Sequence, residues 1–299
     1  MKEKLTSLSE AVRRIPSGSR IAIGGSIERR QPVAIVREII RQSIGNLSFY
    51  AFSTGLSVDM LAAAGLLARV ESVYVGLFWH GLAPSFRRAV EAGQVTVGDF
   101  SESAMGGRIL AACNGVTFAP VKALLGTDMA KQDPSLVTEI ACPFTGEQYA
   151  AVRALQTDFT IIHGYRGDRF GNVQWPLARD ADDFDQSVAR GSKRLIVTVE
   201  EIVDYEEIMR QPNLTYIPAQ WVECVVEAPF GAHPLAVDAY YDEDVDAIQA
   251  YTEAGRTPEG AKAYVDEYVR GVPTHADYLA RFGGLKALRQ RLSVKGRTA

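Results

Sequence analysis

Cysteine is scarce: Cys113, Cys142 and Cys224 stand far apart and form no Cys-x-x-Cys pair. That excludes a disulfide framework and a thiolate zinc site, and leaves reduced, packed thiols. Histidine is scarce as well, and His80, His163, His233 and His275 show no His-x-x-x-His or His-Glu-x-x-His spacing, so no metal site is expected. Long apolar runs are missing. The longest, Met60 to Ala68, is much shorter than the roughly 20 residues that cross a bilayer, which excludes a membrane span. An excess of basic charge is missing too: Lys+Arg 32 against Asp+Glu 36 give a net charge of -4, which argues against nucleic acid as a partner. The opening Met-Lys-Glu-Lys lacks the apolar centre of a secretory signal, so the expected address is cytoplasmic.

What is present is a globular composition. With 299 residues, 47% hydrophobic and 23% charged, the chain can bury a large core and is no disordered segment. Short apolar runs alternate with helix-period segments through the first half, the pattern of β-α-β units. Arg20 to Ile23 reads as a strand, Gly24-Gly25-Ser26 as a glycine loop, and Val33, Val36, Ile39 and Ile40 as one face of a helix after Pro32. Asn46 to Phe52 and Val70 to Gly76 read as strands, with a helix over Ser57 to Leu67 between them. Ala83 to Ala92 reads as a helix and Val95 to Val97 as a short strand. Ser101 opens a further helix that runs to Asn114, where Gly115 stops it. The stretch from Gly126 to Gly146 has little periodicity and reads as a long surface or active-site excursion. Phe159 to His163, Arg194 to Val199 and Cys224 to Glu227 read as buried strands.

The expected fold class is therefore α/β, an open and mostly parallel sheet flanked by helices, with a helical C-terminal extension. Segments over Asp244 to Ala254, Pro258 to Val269 and Ala276 to Arg291 make up that extension. The division expected is residues 1–238 for the α/β domain and 239–299 for the helical extension.

Candidate chemistry is sparse, and each candidate has an ordinary alternative. Gly24-Gly25-Ser26 exposes consecutive N–H groups after a strand and is a candidate oxyanion cradle, or simply a tight turn. It matches neither Gly-x-Gly-x-x-Gly nor a P-loop. Glu28, Arg29 and Arg30 follow at once, either as site-rim groups that fork onto a carboxylate or phosphate, or as a solvated loop. In Ser101-Glu102-Ser103, Ser101 is a natural helix cap, and Glu102 either decorates the first turn or points into a cleft as a general base or nucleophile. No Gly-x-Ser-x-Gly elbow is present. The acidic stretches Asp180, Asp182, Asp183, Asp185 and Asp242 to Asp246 lack the glycine and closing glutamate of an EF-hand loop and read as solvated faces.

A series of motifs carries the reading further. Gly24-Gly25-Ser26 with Arg29-Arg30-Gln31-Pro32, Phe118-Ala119-Pro120-Val121-Lys122, Gly126-Thr127-Asp128, Gly171-Asn172-Val173-Gln174 and Val226 to Pro234 resemble, in order and spacing, the α subunit of family I CoA-transferases. Pro143-Phe144, Thr257-Pro258-Glu259-Gly260 and His275 to Leu279 are similar to the glutaconate CoA-transferase branch.

The resemblance implies a chain that is half of an enzyme. It would pair with a β subunit of the same family, often as α2β2, with the active site between the two. It also implies acyl-CoA and a carboxylic acid as substrates, coenzyme A as substrate rather than resident cofactor, and a β-subunit glutamate that passes through a glutamyl-CoA thioester. In that scheme Gly24, Gly25 and Ser26 donate N–H groups to the developing oxyanion, with Arg29 and Lys122 as substrate-binding groups. The chain also resembles the α subunit of a ring-cleaving CoA-thioester hydrolase of cholesterol degradation, which implies a different outcome: Glu102 works with water, and Lys122 matches a basic position. A scaffold that kept the fold and lost the chemistry is the third reading.

Overall fold

The structure, a computed structural model, describes residues 2–176 and 184–294. Four short apolar segments form the first parallel strands: β1 (Arg20–Ile23), β2 (Leu47–Tyr50), β3 (Leu67–Ser72) and β4 (Thr96–Asp99). Three strands then form a separate antiparallel sheet: β5 (Phe118–Val121), β6 (Val137–Ala141) and β7 (Gln148–Arg153). The chain next returns to the main sheet with β8 (Phe159–Gly167), β9 (Leu195–Ile202) and β10 (Val222–Glu227). The parallel strands lie side by side in the order β10-β9-β8-β1-β2-β3-β4. Two short antiparallel strands, Val173–Gln174 and Thr215–Ile217, extend the sheet beside the end of β8.

Burial follows from topology. A parallel sheet is covered on both faces by its crossover helices, so its strands are apolar throughout instead of alternating. In β8 every residue except Arg166 is buried, and β9 is buried from Leu195 to Glu200. The helix Val33–Arg41 after β1 is buried along almost its whole length. Antiparallel β5 to β7 lie against the helix Glu102–Cys113, where Ala104, Met105 and Ile109 pack with Val121, Val137 and Val152.

The structure corrects three sequence expectations. The helix read over Ser57 to Leu67 ends at Ala63, because Gly65 turns with φ +70°, and β3 begins at Leu67. The stretch Gly126 to Gly146 is not featureless: it holds a short helix, Met129–Gln132, and the strand Val137–Ala141. The last helix is two, His275–Ala280 and Gly284–Leu292, broken at Gly283 and Gly284, which both have positive φ.

The C-terminal helices begin with Val245–Ala254 and Pro258–Val265. They bury Ile248, Tyr251, Tyr264 and Val265 in the same core as the sheet.

Candidate functional site

The site follows from strand order. From β1 the chain moves to one side through β2, β3 and β4, then crosses back to place β8, β9 and β10 on the other. In open α/β sheets, ligands bind outside the carboxyl ends of the strands where the order reverses. Here that point lies between β1 and β8, and Gly24-Gly25-Ser26 is the segment that leaves β1 there.

Glycine is required at both positions. Gly25 has φ +80°, and a Cβ there would lie 2.6 Å from the backbone of Arg29, Arg30 and Gln31. A Cβ on Gly24 would lie 2.4 Å from Oδ1 of Asp185 and 2.6 Å from Cγ2 of Ile162.

The three amides expected to face a ligand are instead engaged by the chain. Gly24 N–H donates to the Ile161 carbonyl at 2.9 Å, Gly25 N–H to Asp185 Oδ1 at 2.8 Å, and Ser26 N–H to the Arg29 carbonyl at 2.8 Å. The N–H groups of Gly24, Gly25 and Ser26, expected to cradle an oxyanion, thus donate to acceptors of the chain itself in this structure. Sequence spacing identifies the turn; it does not reveal which partners the fold brings to those amides.

Asp185 is the anion that the turn holds. Its second oxygen accepts from the Arg30 guanidinium at 2.6 Å, and both side chains are almost wholly buried. Asp185 is thus a buried ion-paired residue, not part of a solvated face; its neighbours Asp180, Asp182 and Asp183 lie outside the described residues. Asp244 departs from the same expectation: it is buried and pairs with His233 Nε2 at 3.0 Å and with Arg291 at 2.5 Å.

Arg30 has a positive φ of 53° and places its guanidinium 5.9 Å from the centre of the Trp175 ring. Gln31, fully buried, holds the loop from within. Its amide nitrogen donates to the Ser26 and Ile27 carbonyls at 2.8 and 3.0 Å, and its oxygen accepts from Ser57 N–H at 3.1 Å. Arg29 lies on the same loop, 3.4 Å from the Asp238 carboxylate.

Glu102 and Lys122 lie elsewhere. Ser101 caps its helix by accepting from Ala104 N–H at 3.3 Å, as its residue type predicts, and Glu102 is exposed in the first turn. That helix follows β4, three strands from β1, a displacement of roughly 14 Å at ordinary strand spacing. Glu102 does share the carboxyl-end rim with the glycine turn. One helical turn on, Gly106 faces the ring of Phe184, which stacks on Phe52 with ring centres 4.4 Å apart. Phe184 adjoins Asp185, so the helix that carries Glu102 packs against the segment that pins the turn, with Phe184 beside Gly106 and Val188 in the same cluster as Ile109 and Ala112. Lys122 follows β5 and pairs with Glu147 at 2.5 Å; that carboxylate raises its pKa above the ordinary lysine value. Among the described residues no hydrogen bond or ion pair joins Lys122 to the turn or to Glu102.

Sequence reasoning missed the roles of Asp185 and Gln31. Nothing in the sequence links Asp185 to a turn 160 residues earlier, whereas Gln31 stands inside the motif Arg29-Arg30-Gln31-Pro32.

Comparison with known proteins places this geometry among relatives. A family model described as Coenzyme A transferase matches residues 5–228. The chain is 33% identical over 283 residues to one of the subunits of 3-oxoadipate CoA-transferase from Pseudomonas knackmussii, covering 93% of this chain and 98% of that one. The crystal structure of glutaconate coenzyme A-transferase from Acidaminococcus fermentans superimposes with a TM-score of 0.92 at 31% identity, covering 98% of this chain and 96% of that one. An uncharacterized protein of Archaeoglobus fulgidus is 38% identical over 291 residues, 96% of this chain; the chain spans only 64% of that longer relative. A cholesterol ring-cleaving hydrolase IpdA subunit of Rhodococcus jostii is 29% identical over 290 residues, covering 93% of this chain and 95% of that one.

Proposed function

The chain belongs to the coenzyme A transferase family, and we propose that it is an α subunit that moves coenzyme A between an acyl-CoA thioester and a carboxylic acid. The observation that carries this reading is the near full-length agreement with the glutaconate coenzyme A-transferase chain.

In this reading the chemistry is shared with a β subunit. The partner's carboxylate attacks the thioester carbonyl, the C–S bond breaks, and the coenzyme A thiolate leaves an acyl anhydride. The thiolate then attacks the enzyme's own carbonyl of that anhydride, the first acid departs, and a second acid repeats the sequence in reverse. This chain supplies the wall opposite the nucleophile. Its part is to hold a rigid loop at the switch point, where Gly25, Arg30, Asp185 and Gln31 are locked together. Coenzyme A is a substrate here, and the reading needs no resident cofactor. An α2β2 assembly and a cytoplasmic location belong to the same proposal; no helix of the described residues is long and apolar enough to cross a membrane.

A second reading rests on Glu102, which is exposed on the strand-end rim and is free to meet water. In it the chain is the α subunit of a thioester hydrolase, and Glu102 is the general base.

The deciding experiment is co-expression of this chain with a β-type subunit, followed by an assay of coenzyme A exchange between acyl-CoA thioesters and a panel of free carboxylic acids. Exchange supports transfer. Thioester hydrolysis with no exchange to any acid overturns it in favour of the second reading.

A further inference from the structure

The loop that follows β3 carries a patch that the transfer chemistry leaves unused. From Val73 to Ala83 there is no Asp, Glu, Lys, Arg, Ser, Thr, Asn or Gln. Tyr74, Phe78, Trp79 and Leu82 are 40%, 54%, 60% and 60% exposed there. Large apolar side chains gathered on a surface mark a place of binding. We propose that Phe78, Trp79 and Leu82 receive the acyl group of the thioester, and that this group is a hydrocarbon chain or an aromatic ring with no second carboxylate. The inference rests on the transferase reading above and names its substrate class.

The apolar tip stands beside the switch point. The short strands Ser53–Thr54 and Tyr74–Val75 pair in parallel just past the carboxyl ends of β2 and β3. Gly76 N–H donates to the Thr54 carbonyl at 3.0 Å, and a Cβ on Gly55 would overlap the Gly76 carbonyl. Two residues on from Gly55, Ser57 N–H reaches Gln31 of the switch-point loop at 3.1 Å. On its other flank the tip meets the segment from Ala236 to Glu243. Glu243 accepts from the Trp79 indole N–H at 3.1 Å, Ala236 pairs with Glu28 and Arg30, and Asp238 lies 3.4 Å from Arg29. The tip and the switch-point loop thus share both supports, on the rim where open α/β sheets hold their ligands.

The tip is also built to keep its shape. Phe78 has φ +52°, a region that aromatic residues rarely occupy and that persists where the surroundings enforce it. Leu77 N–H donates to the Gly81 carbonyl at 2.7 Å, and Gly81 N–H donates to the Phe78 carbonyl at 3.1 Å. The rings of Phe78 and Trp79 meet edge-on with centres 4.9 Å apart. The polar atoms satisfy one another: His80 Nε2 lies 3.2 Å from Glu243, the carboxylate that also takes the indole N–H.

A thioester with its carbonyl at the switch point has such a tip within reach of its acyl body. Methylenes gain by leaving water against this surface. A second carboxylate would lose hydration with no Lys or Arg of the tip to replace it. Four side chains cover far less than the roughly 800 Å² per partner of a stable subunit interface, so the patch suits a small apolar group better than a docking protein.

The test uses the complex with the β subunit and the exchange assay already described, with hexanoyl-CoA and glutaryl-CoA as donors of similar length. Wild type should favour hexanoyl-CoA by about tenfold or more in kcat/KM. Phe78→Ser and Leu82→Ser should each shrink that ratio by about fivefold or more with the melting temperature unchanged, and Phe78→Arg should move it toward glutaryl-CoA. A wild-type ratio near one or in favour of glutaryl-CoA, activity confined to other thioesters, or a ratio that all three variants leave unchanged overturns the inference alone. If the variants instead raise the dissociation constant of the two subunits and lower both donors equally, the tip belongs to the partner and the inference is likewise overturned. A wild-type complex that exchanges coenzyme A from no thioester to any acid overturns the transferase reading, and the inference falls with it.

Discussion

The hydroxyl of Tyr251 donates to the Asp59 carboxylate at 2.5 Å, both side chains being fully buried, and so joins the helix Val245–Ala254 to one 192 residues earlier. Burial raises the pKa of Asp59, against the donors Tyr251 and the Phe86 N–H at 2.8 Å. Tyr251→Phe leaves that carboxylate short of a donor in a site closed to water. It should reduce unfolding free energy by about 1–3 kcal/mol, read as a lower urea midpoint at unchanged slope.

A second buried knot gives the chain a pH dependence of known sign. Burial and the neighbouring Arg37 cation push the pKa of His275 down to about 3 from 6.5, and burial likewise lowers that of His233. Between those values the unfolded chain binds a proton that the folded chain excludes, so stability falls as pH drops through the window. The melting temperature should therefore fall between neutrality and pH near 5. His275→Gln keeps a donor for the Pro229 carbonyl, which lies 2.8 Å from His275 Nε2, and an acceptor for Arg37, so it should shrink that fall. Equal slopes for wild type and variant would contradict the assignment.

Gly24→Ala places a methyl group against the Asp185 carboxylate and Ile162, closer than carbon and oxygen pack. The Asp185 contacts must then shift. A loss of about 1–3 kcal/mol is expected for such overpacking, with a lower melting temperature and reduced activity of the complex. A variant as stable and as active as wild type would show that the carboxylate is not seated there.

Glu102→Gln separates the two functional readings. The side chain is exposed, so the change should leave the fold intact. In a transferase, exchange should stay within a few-fold of wild type; in a hydrolase, turnover should fall by about a hundredfold or more, the range of a positioned general base. Steady-state rates of the complex on one thioester decide between them.

Much of the fold is legible in the sequence because a parallel sheet writes itself as buried apolar runs between helices. Phe159 to His163 and Arg194 to Val199 show that plainly, and Ser101 and Gly115 mark both ends of a helix through local chemistry alone. The antiparallel β6 is harder: Val137 is buried, Thr138 and Glu139 are exposed, and no clean alternation results. The glycine turn is readable as a turn. Its occupant is not, since Asp185 meets Gly25 only after the sheet has closed across half the chain. Ion pairs between distant residues leave no spacing to detect.

The strand order also has a consequence for synthesis. β1 is the middle ribbon of the sheet, and one of its two neighbours, beginning at Phe159, is made long after the other. A growing polypeptide that has emerged only through the antiparallel hairpin carries that ribbon with one edge bare, ready to pair with any extended stretch it meets. Fragments that stop short of Phe159 should clump when expressed alone, while the remainder of the gene supplied in trans offers the missing edge.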